Sequence, residues 1–268
     1  MSSITNKAKY KEIYTLEEFF GDKEITWDII RPILKFNYIN KKYLDEYENK
    51  YNAKILASNF LDLSKVYCVI RKKSDTMIRH IITEVDVTKY NISKSDLEKY
   101  SRDNMEYDRC KRIATYKEFS SRVSNPFYAI SKPVPNSMLM AVGGGLKDGA
   151  YFIEDEDKYG NENILISFSK DISYGGSYQF MPSTLKEVSN RFRNNDFYII
   201  PMSIHETMFV NKKYVTDDMY KNLYETEQDL LDMLEDVNDN ADWRDIMSYN
   251  IYYYSKDNCN IFMIKKKK

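Results

Sequence analysis

The sequence predicts an α+β fold: a mixed, mainly antiparallel sheet with flanking helices. Three observations lead there. The first half alternates apolar runs of strand length with capped helical segments, and the second half pairs apolar runs across turn-forming residues. A long amphipathic helix then precedes two closing strands, the first of them rich in tyrosine.

In order along the chain, Thr15-Leu-Glu-Glu-Phe-Phe-Gly21 has a cap residue, early acids and a terminal glycine, so a short helix is expected. Ile29 to Ile39 reads as a strand and Asn40 to Asn49 as a short helix. Leu61 to Arg71 is a second strand, and Met77 to Val87 is a third apolar segment. Ser93-Lys-Ser-Asp-Leu-Glu opens a helix that runs toward Arg112. Beyond Pro126, Phe127 to Ile130 and Ser137 to Val142 flank a Lys-Pro-Val-Pro-Asn turn. Tyr151 to Ile153 and Ile164 to Phe168 bracket an acidic turn. Met181-Pro-Ser-Thr-Leu begins a helix with proline in its first turn, and Asp196 to Pro201 is a buried strand. From about Thr216 to Val237 one helix carries Met219, Leu223, Leu230, Leu234 and Val237 close to one face. Tyr249 to Tyr254 and Ile261 to Ile264 complete the sheet. With no linker and no repeat, residues 1–122 are expected as an α/β half and residues 123–268 as an α+β half, packed as one compact unit.

Composition narrows the functional classes. Forty basic against 41 acidic side chains leave a formal charge of -1, and 43% of the 268 residues are hydrophobic, the balance of a soluble globular protein. No stretch reaches the roughly 18 apolar residues of a membrane span, and the first residues lack the apolar core of a secretory signal, so a cytoplasmic protein with no membrane contact is expected. Cys68, Cys110 and Cys259 have no paired spacing, which gives neither a disulfide framework nor a zinc site. Abundant Lys, Asn, Ile and Tyr with only 8 Gly and 6 Pro match AT-rich coding, as in low-GC Gram-positive bacteria and their phages.

The catalytic vocabulary is small, because His80 and His205 are the only histidines. In Pro201-Met-Ser-Ile-His-Glu206 an extended backbone sets Ser203 and His205 on one face and Glu206 on the other. Side chains two apart on a strand stand about 7 Å apart at their attachment points, too far for a direct hydroxyl-to-imidazole hydrogen bond unless the strand bulges or ends. No G-x-S-x-G surrounds Ser203, and Phe209 stands where H-E-x-x-H needs its second histidine. Ser203, His205 and Glu206 remain the weak catalytic candidates. His80 and Glu84 are four apart but fall in a strand-like run, which separates them.

Asp236-Val-Asn-Asp-Asn-Ala-Asp242 is half of an EF-hand loop, with Ala241 in place of glycine and Met247 in place of the closing glutamate. Asp155-Glu-Asp-Lys-Tyr-Gly160 is likewise incomplete, and no metal or other cofactor is expected. Gly143-Gly-Gly-Leu-Lys-Asp-Gly149 matches no phosphate-binding pattern and precedes a strand-like run, so it reads as a loop.

Charge is unevenly placed. Tyr214 to Ile246 holds eleven acids against Lys221 and Arg244, whereas Lys99 to Arg122 is mildly basic. An acidic block of this density repels phosphate, and the basic segment is too sparse for a dedicated nucleic-acid protein, which disfavours nucleic acid as a partner. Glu225, Asp229, Asp232 and Asp236 are expected to face outward from the amphipathic helix and to form the binding surface for a protein with a basic surface.

The block Asn195-Asp-Phe-Tyr-Ile-Ile-Pro-Met-Ser-Ile-His-Glu206 resembles an uncharacterised family of Firmicutes, many of them gut bacteria, whose hallmark runs Tyr-Ile-Leu-Pro-Ser-Ser-Ile-His-Glu. Ile30-Arg-Pro-Ile-Leu, Leu61-Asp-Leu-Ser-Lys-Val-Tyr, Val237-Asn and Met247-Ser-Tyr-Asn-Ile-Tyr-Tyr-Tyr are also similar to it, so the resemblance covers most of the chain. Met202 departs from the first serine of the hallmark, and the region around Gly143 and the segment Tyr151 to Asn163 are particular to this chain. The resemblance implies no activity. The expected function is that of a non-enzymatic binding or regulatory protein acting by macromolecular contact, in a setting such as phage or mobile-element modulation of host defence. The alternatives are a small hydrolase using Ser203 and His205 and a small-ligand or nucleotide-binding domain lined by Arg and Tyr.

Overall fold

The computed structural model describes residues 10–73, 76–108, 111–115, 164–169, 175–216 and 226–265. The fold is α+β, with eleven strands in two mostly antiparallel sheets among the described residues. The chain divides into two compact units, Ala8–Arg109 and the chain from Cys110 to Lys268.

The first unit is built on strands β1 (Tyr10–Glu12), β2 (Leu34–Asn40), β3 (Ala57–Phe60), β4 (Leu63–Lys73) and β5 (Thr76–Ile81), in the order β1-β5-β4-β2 with β3 also paired to β4. Only β1 with β5 is parallel. Local signals set the helix starts. Thr15 caps α1 (Leu16–Phe20) through its hydroxyl, and Gly21 closes it at φ +69°, a conformation that suits glycine. Ser93 caps α5 (Lys94–Glu106) in the same way.

Four expectations are corrected or refined here. Ile29 to Ile39 is not one strand. A helical turn α2 (Trp27–Ile30) and a 3-10 turn Arg31–Ile33 come first, because Pro32 lacks the N–H that a sheet ladder needs but fits a first helical turn. The short helix expected at Asn40 to Asn49 begins as a 3-10 turn Lys41–Tyr43 and continues as α3 (Leu44–Tyr51). Met77 to Val87 splits, since Thr83 and Asp86 form a capping box that starts α4 (Glu84–Lys89). The helix from Ser93 stops at Glu106 rather than near Arg112, which lies in β6 (Lys111–Thr115).

The interior of this unit holds a buried ionic network. Glu12 Oε1 accepts from Arg79 Nε at 2.6 Å, and Glu12 Oε2 accepts from the Tyr51 hydroxyl at 2.9 Å. Tyr51 in turn accepts from the Ile81 N–H at 3.0 Å. His80 stands beside it, with Nδ1 2.9 Å from the Ile13 carbonyl and Nε2 3.0 Å from Asp86 Oδ2, the carboxylate of the capping box. Glu84 is on α4, so the His80 partner is Asp86. Cys68 is fully buried, and burial pushes its thiol up to about 12.

The second unit carries a six-stranded sheet, β11-β10-β8-β9-β7-β6, antiparallel throughout. Its strands are β6, β7 (Ile164–Ser169), β8 (Phe197–Ile200), β9 (Glu206–Asn211), β10 (Ile251–Ser255) and β11 (Asn260–Ile264). Proline opens α6 (Pro182–Arg191) as expected. The single helix expected from Thr216 to Val237 is corrected. Within the described residues α7 (Lys212–Thr216) and α8 (Glu227–Asp239) are separate, because Thr226 is extended at φ −140° and forms a capping box with Asp229. Leu230, Leu231, Leu234 and Val237 of α8 pack with Tyr198, Ile200, Met208, Val210 and Ile251 of the sheet. Met219, Leu223, Glu225, the Pro126 hairpin and the glycine loop at Gly143 lie outside the described residues, as does the turn at Asp155. No helix among the described residues is long and apolar enough to cross a membrane.

Candidate functional site

The site follows from how β8 ends. Pro201 offers no N–H, so the ladder pairing Phe197 with Asn211 and Ile200 with Met208 stops there. The chain turns through Pro201–His205 and returns as β9. Ser203 N–H donates to the Glu206 carbonyl at 3.2 Å, and the Ser203 hydroxyl accepts from the His205 N–H at 3.0 Å. This is a serine turn, in which the hydroxyl replaces a backbone acceptor two residues away. The strand ends before Ser203, the case in which the extended spacing of Ser203 and His205 does not hold.

Two further segments enclose the turn. On one side is the 3-10 turn Gly176–Phe180. Gly176 N–H donates to the Ile204 carbonyl at 3.1 Å, and a Cβ on Gly176 would lie 2.5 Å from the Ser203 carbonyl oxygen and 2.9 Å from Met247 Cε. Only glycine fits this approach. Gln179 accepts from the Thr207 hydroxyl at 3.1 Å and donates to Met247 Sδ at 2.7 Å. On the other side is the loop Asp242–Ser248. Its Asp245 carbonyl accepts from the Ile204 N–H at 2.9 Å, and Asp245 Oδ1 lies 3.5 Å from His205 Nε2.

Everything in the turn is interior: Ser203 and Glu206 are 0% exposed and His205 2%. Neither oxygen of the Glu206 carboxyl meets a donor in full hydrogen-bond geometry, although the Ser203 hydroxyl stands near enough to act on it. Burial pushes this carboxyl up to about 7, against the opposing pull of the His205 ring and the Ser203 hydroxyl. Ser203, His205 and Glu206 are thus brought together as a buried polar cluster with Asp245.

The acidic candidates fall elsewhere and do different work. Asp229 is half-buried and spends its carboxylate on the cap, where Oδ2 accepts from the Thr226 N–H at 2.8 Å and the Thr226 hydroxyl at 3.0 Å. Asp232 is exposed and accepts from Gln228 Nε2 at 2.8 Å, and Asp236 is exposed. The half EF-hand is no loop, since Asp236 to Asp239 are helical and Asp242 is held by Arg244 at 2.7 Å. Among the described residues no group of three or more His, Cys, Asp or Glu side chains converges as metal ligands.

No motif or spacing singles out Asp245, Gln179 or Gly176. The doublet Gly175-Gly176 is the one local sign available, since adjacent glycines in a chain with eight mark a backbone in need of room.

The model of a family of unknown function (DUF5688) matches residues 40–256. No curated protein and no solved structure matches the chain. With the match spanning most of its length, and the buried turn before β9 inside it, the chain belongs to the DUF5688 family of unknown function.

Proposed function

We propose that this is a non-enzymatic binding or regulatory protein that acts by contact with a protein partner carrying a basic surface. The observation that carries this is the charge of α8. Glu227, Asp229, Asp232, Glu235, Asp236 and Asp239 lie on one 13-residue helix with no Lys or Arg among them. Acids in the last turn oppose the helix dipole, a cost that the helix sequence does not relieve and that a basic partner offsets. The docking surface is Asp232 and Asp236 with their exposed neighbours Glu235 and Asp239, while Asp229 serves the cap.

The turn at Ser203 supports a non-enzymatic protein over a hydrolase. Its hydroxyl accepts from a backbone N–H, and the whole block is buried. The Lys-, Asn-, Ile- and Tyr-rich composition and the Pro-x-Ser-Ile-His-Glu block support a Firmicute source, and the cytoplasm is the site of action we propose. Phage or mobile-element modulation of host defence is the setting we propose, and it rests on compatibility with such a contact protein.

A pull-down from the native host analysed by mass spectrometry identifies the partner, and association kinetics with that partner test the surface. Asp232→Lys with Asp236→Lys should slow association by about tenfold or more and flatten its salt dependence. Unchanged kinetics in that variant would remove α8 as the docking surface.

A further inference from the structure

The loop Asp242–Ser248 is held along its length, with the Asp245 carbonyl accepting from the Ile204 N–H at 2.9 Å at its middle, while the Asp245 side chain makes a longer contact. At one end Arg244 grips Asp242 through Nε at 2.9 Å and Nη2 at 2.7 Å. At the other, Asn238 of α8 donates to the Ser248 carbonyl at 2.9 Å. Between them, the Asp245 side chain meets the imidazole of His205 at 3.5 Å, beyond the 2.7–3.2 Å span of a well-made N–H···O bond. Next to that imidazole in the chain is Glu206, 0% exposed and with both carboxyl oxygens unpartnered.

We infer that Glu206 and Asp245 compete for the His205 imidazole, so that ionisation of Glu206 draws the ring inward and releases the Asp245 side chain, loosening the side-chain packing around Trp243 while the backbone bond of the loop to the turn stays in place. While Glu206 holds its proton it is a neutral acid, and Asp245 is the carboxylate that engages the ring. When the proton leaves to solvent, a charge appears where there is no water to solvate it. Such a charge gains far more from a nearby imidazole than does Asp245, whose side chain is 19% exposed and shares its charge with solvent. Among the described residues the titratable groups that act on Glu206 are His205 from the turn and Asp245 from the loop; Ser203 adds a hydroxyl, and the cross-strand neighbour Phe168 is apolar. Burial sets the Glu206 transition at about 7. The proton state of one buried carboxyl thereby sets the side-chain contact made by a loop that leads directly out of the acidic helix.

The chain carries its own reporter, because its two tryptophans are Trp243 in this loop and Trp27 in the other unit. In a Trp27→Phe background, Trp243 emission and acrylamide quenching are followed from about pH 5 to 8.5 on the chain alone, with no partner present. The expected result is a single transition near neutrality toward a more accessible Trp243. Glu206→Gln should abolish it, and Asp245→Asn should leave the loop accessible at the acid end. A flat profile in the Trp27→Phe protein, or a transition that persists in Glu206→Gln, overturns the inference. If Glu206→Gln does not fold, the carbon-13 shift of the Glu206 carboxyl is titrated beside the Trp243 signal in the Trp27→Phe protein. Coincident midpoints support the competition and separate midpoints overturn it. Since α8 docking is measured with a partner and this loop without one, either can fail alone.

Discussion

Each unit buries a carboxylate beside a histidine, and the two are treated in opposite ways. In the unit of Ala8–Arg109, Glu12 and Asp86 are saturated: Glu12 by Arg79 and Tyr51, Asp86 by Thr83 and His80. In the other unit, Glu206 is more deeply buried, yet neither of its oxygens is bonded. A saturated network fixes strands and helix starts in one arrangement, and removing any member leaves a partner stranded. An unsaturated carboxyl leaves the local arrangement dependent on its proton. The first is built to hold and the second to respond.

The comparison is broken most severely at Arg79. Arg79→Met strands the Glu12 carboxylate in the interior and should cost about 3–5 kcal/mol, whereas pairing it with Glu12→Leu should recover most of that loss. Urea unfolding followed by Trp27 fluorescence, which reports on this unit, checks both.

Glu206 comes next, with the opposite sign. Its folded-state value near 7 stands above the ordinary 4.5, so the folded protein holds this proton more tightly than the unfolded chain. Stability should therefore be fully present below pH 4.5 and decline as pH rises through about 7, by up to about 3 kcal/mol. Glu206→Gln should remove that slope and be more stable than the parent at pH 8. Unfolding free energies at pH 5 and 8, read from Trp243, decide it.

A smaller loss is expected from Gly176→Ala, because the added Cβ meets a backbone oxygen that cannot move aside cheaply. About 1–3 kcal/mol should be lost, with the Trp243 environment disturbed at every pH. The smallest effects separate the two kinds of acid on α8. Thr226→Ala, which takes away the hydroxyl shared with Asp229, should cost about 1 kcal/mol. Asp236→Lys should change stability by no more than about 0.5 kcal/mol, as an exposed charge does, and calorimetric melting temperatures rank the pair.

What was legible beforehand follows the range of the forces involved. Thr15, Ser93 and Pro182 mark helix starts because a cap or a first-turn proline acts within three residues. The apolar face of α8 is readable from Leu230, Leu234 and Val237 for the same reason, although the helix expected from Thr216 runs through the extended Thr226 at which α8 starts. The strand expected at Ile29 failed because apolar content outweighed Pro32, whose missing N–H decides the geometry.

By itself, then, the sequence determined the α+β class, most element positions, the block at Ser203 to Glu206 and the acidity of α8, all of which rest on neighbours in the chain. Tertiary structure alone decided that Glu206 is interior and unpartnered, that Asp245 rather than Ser203 faces the His205 ring, that His80 meets Asp86 and the Ile13 carbonyl, and that Gly176 backs the turn. Most of these contacts join residues some 30 to 70 positions apart, and only packing the elements together removes the water that would otherwise satisfy each group.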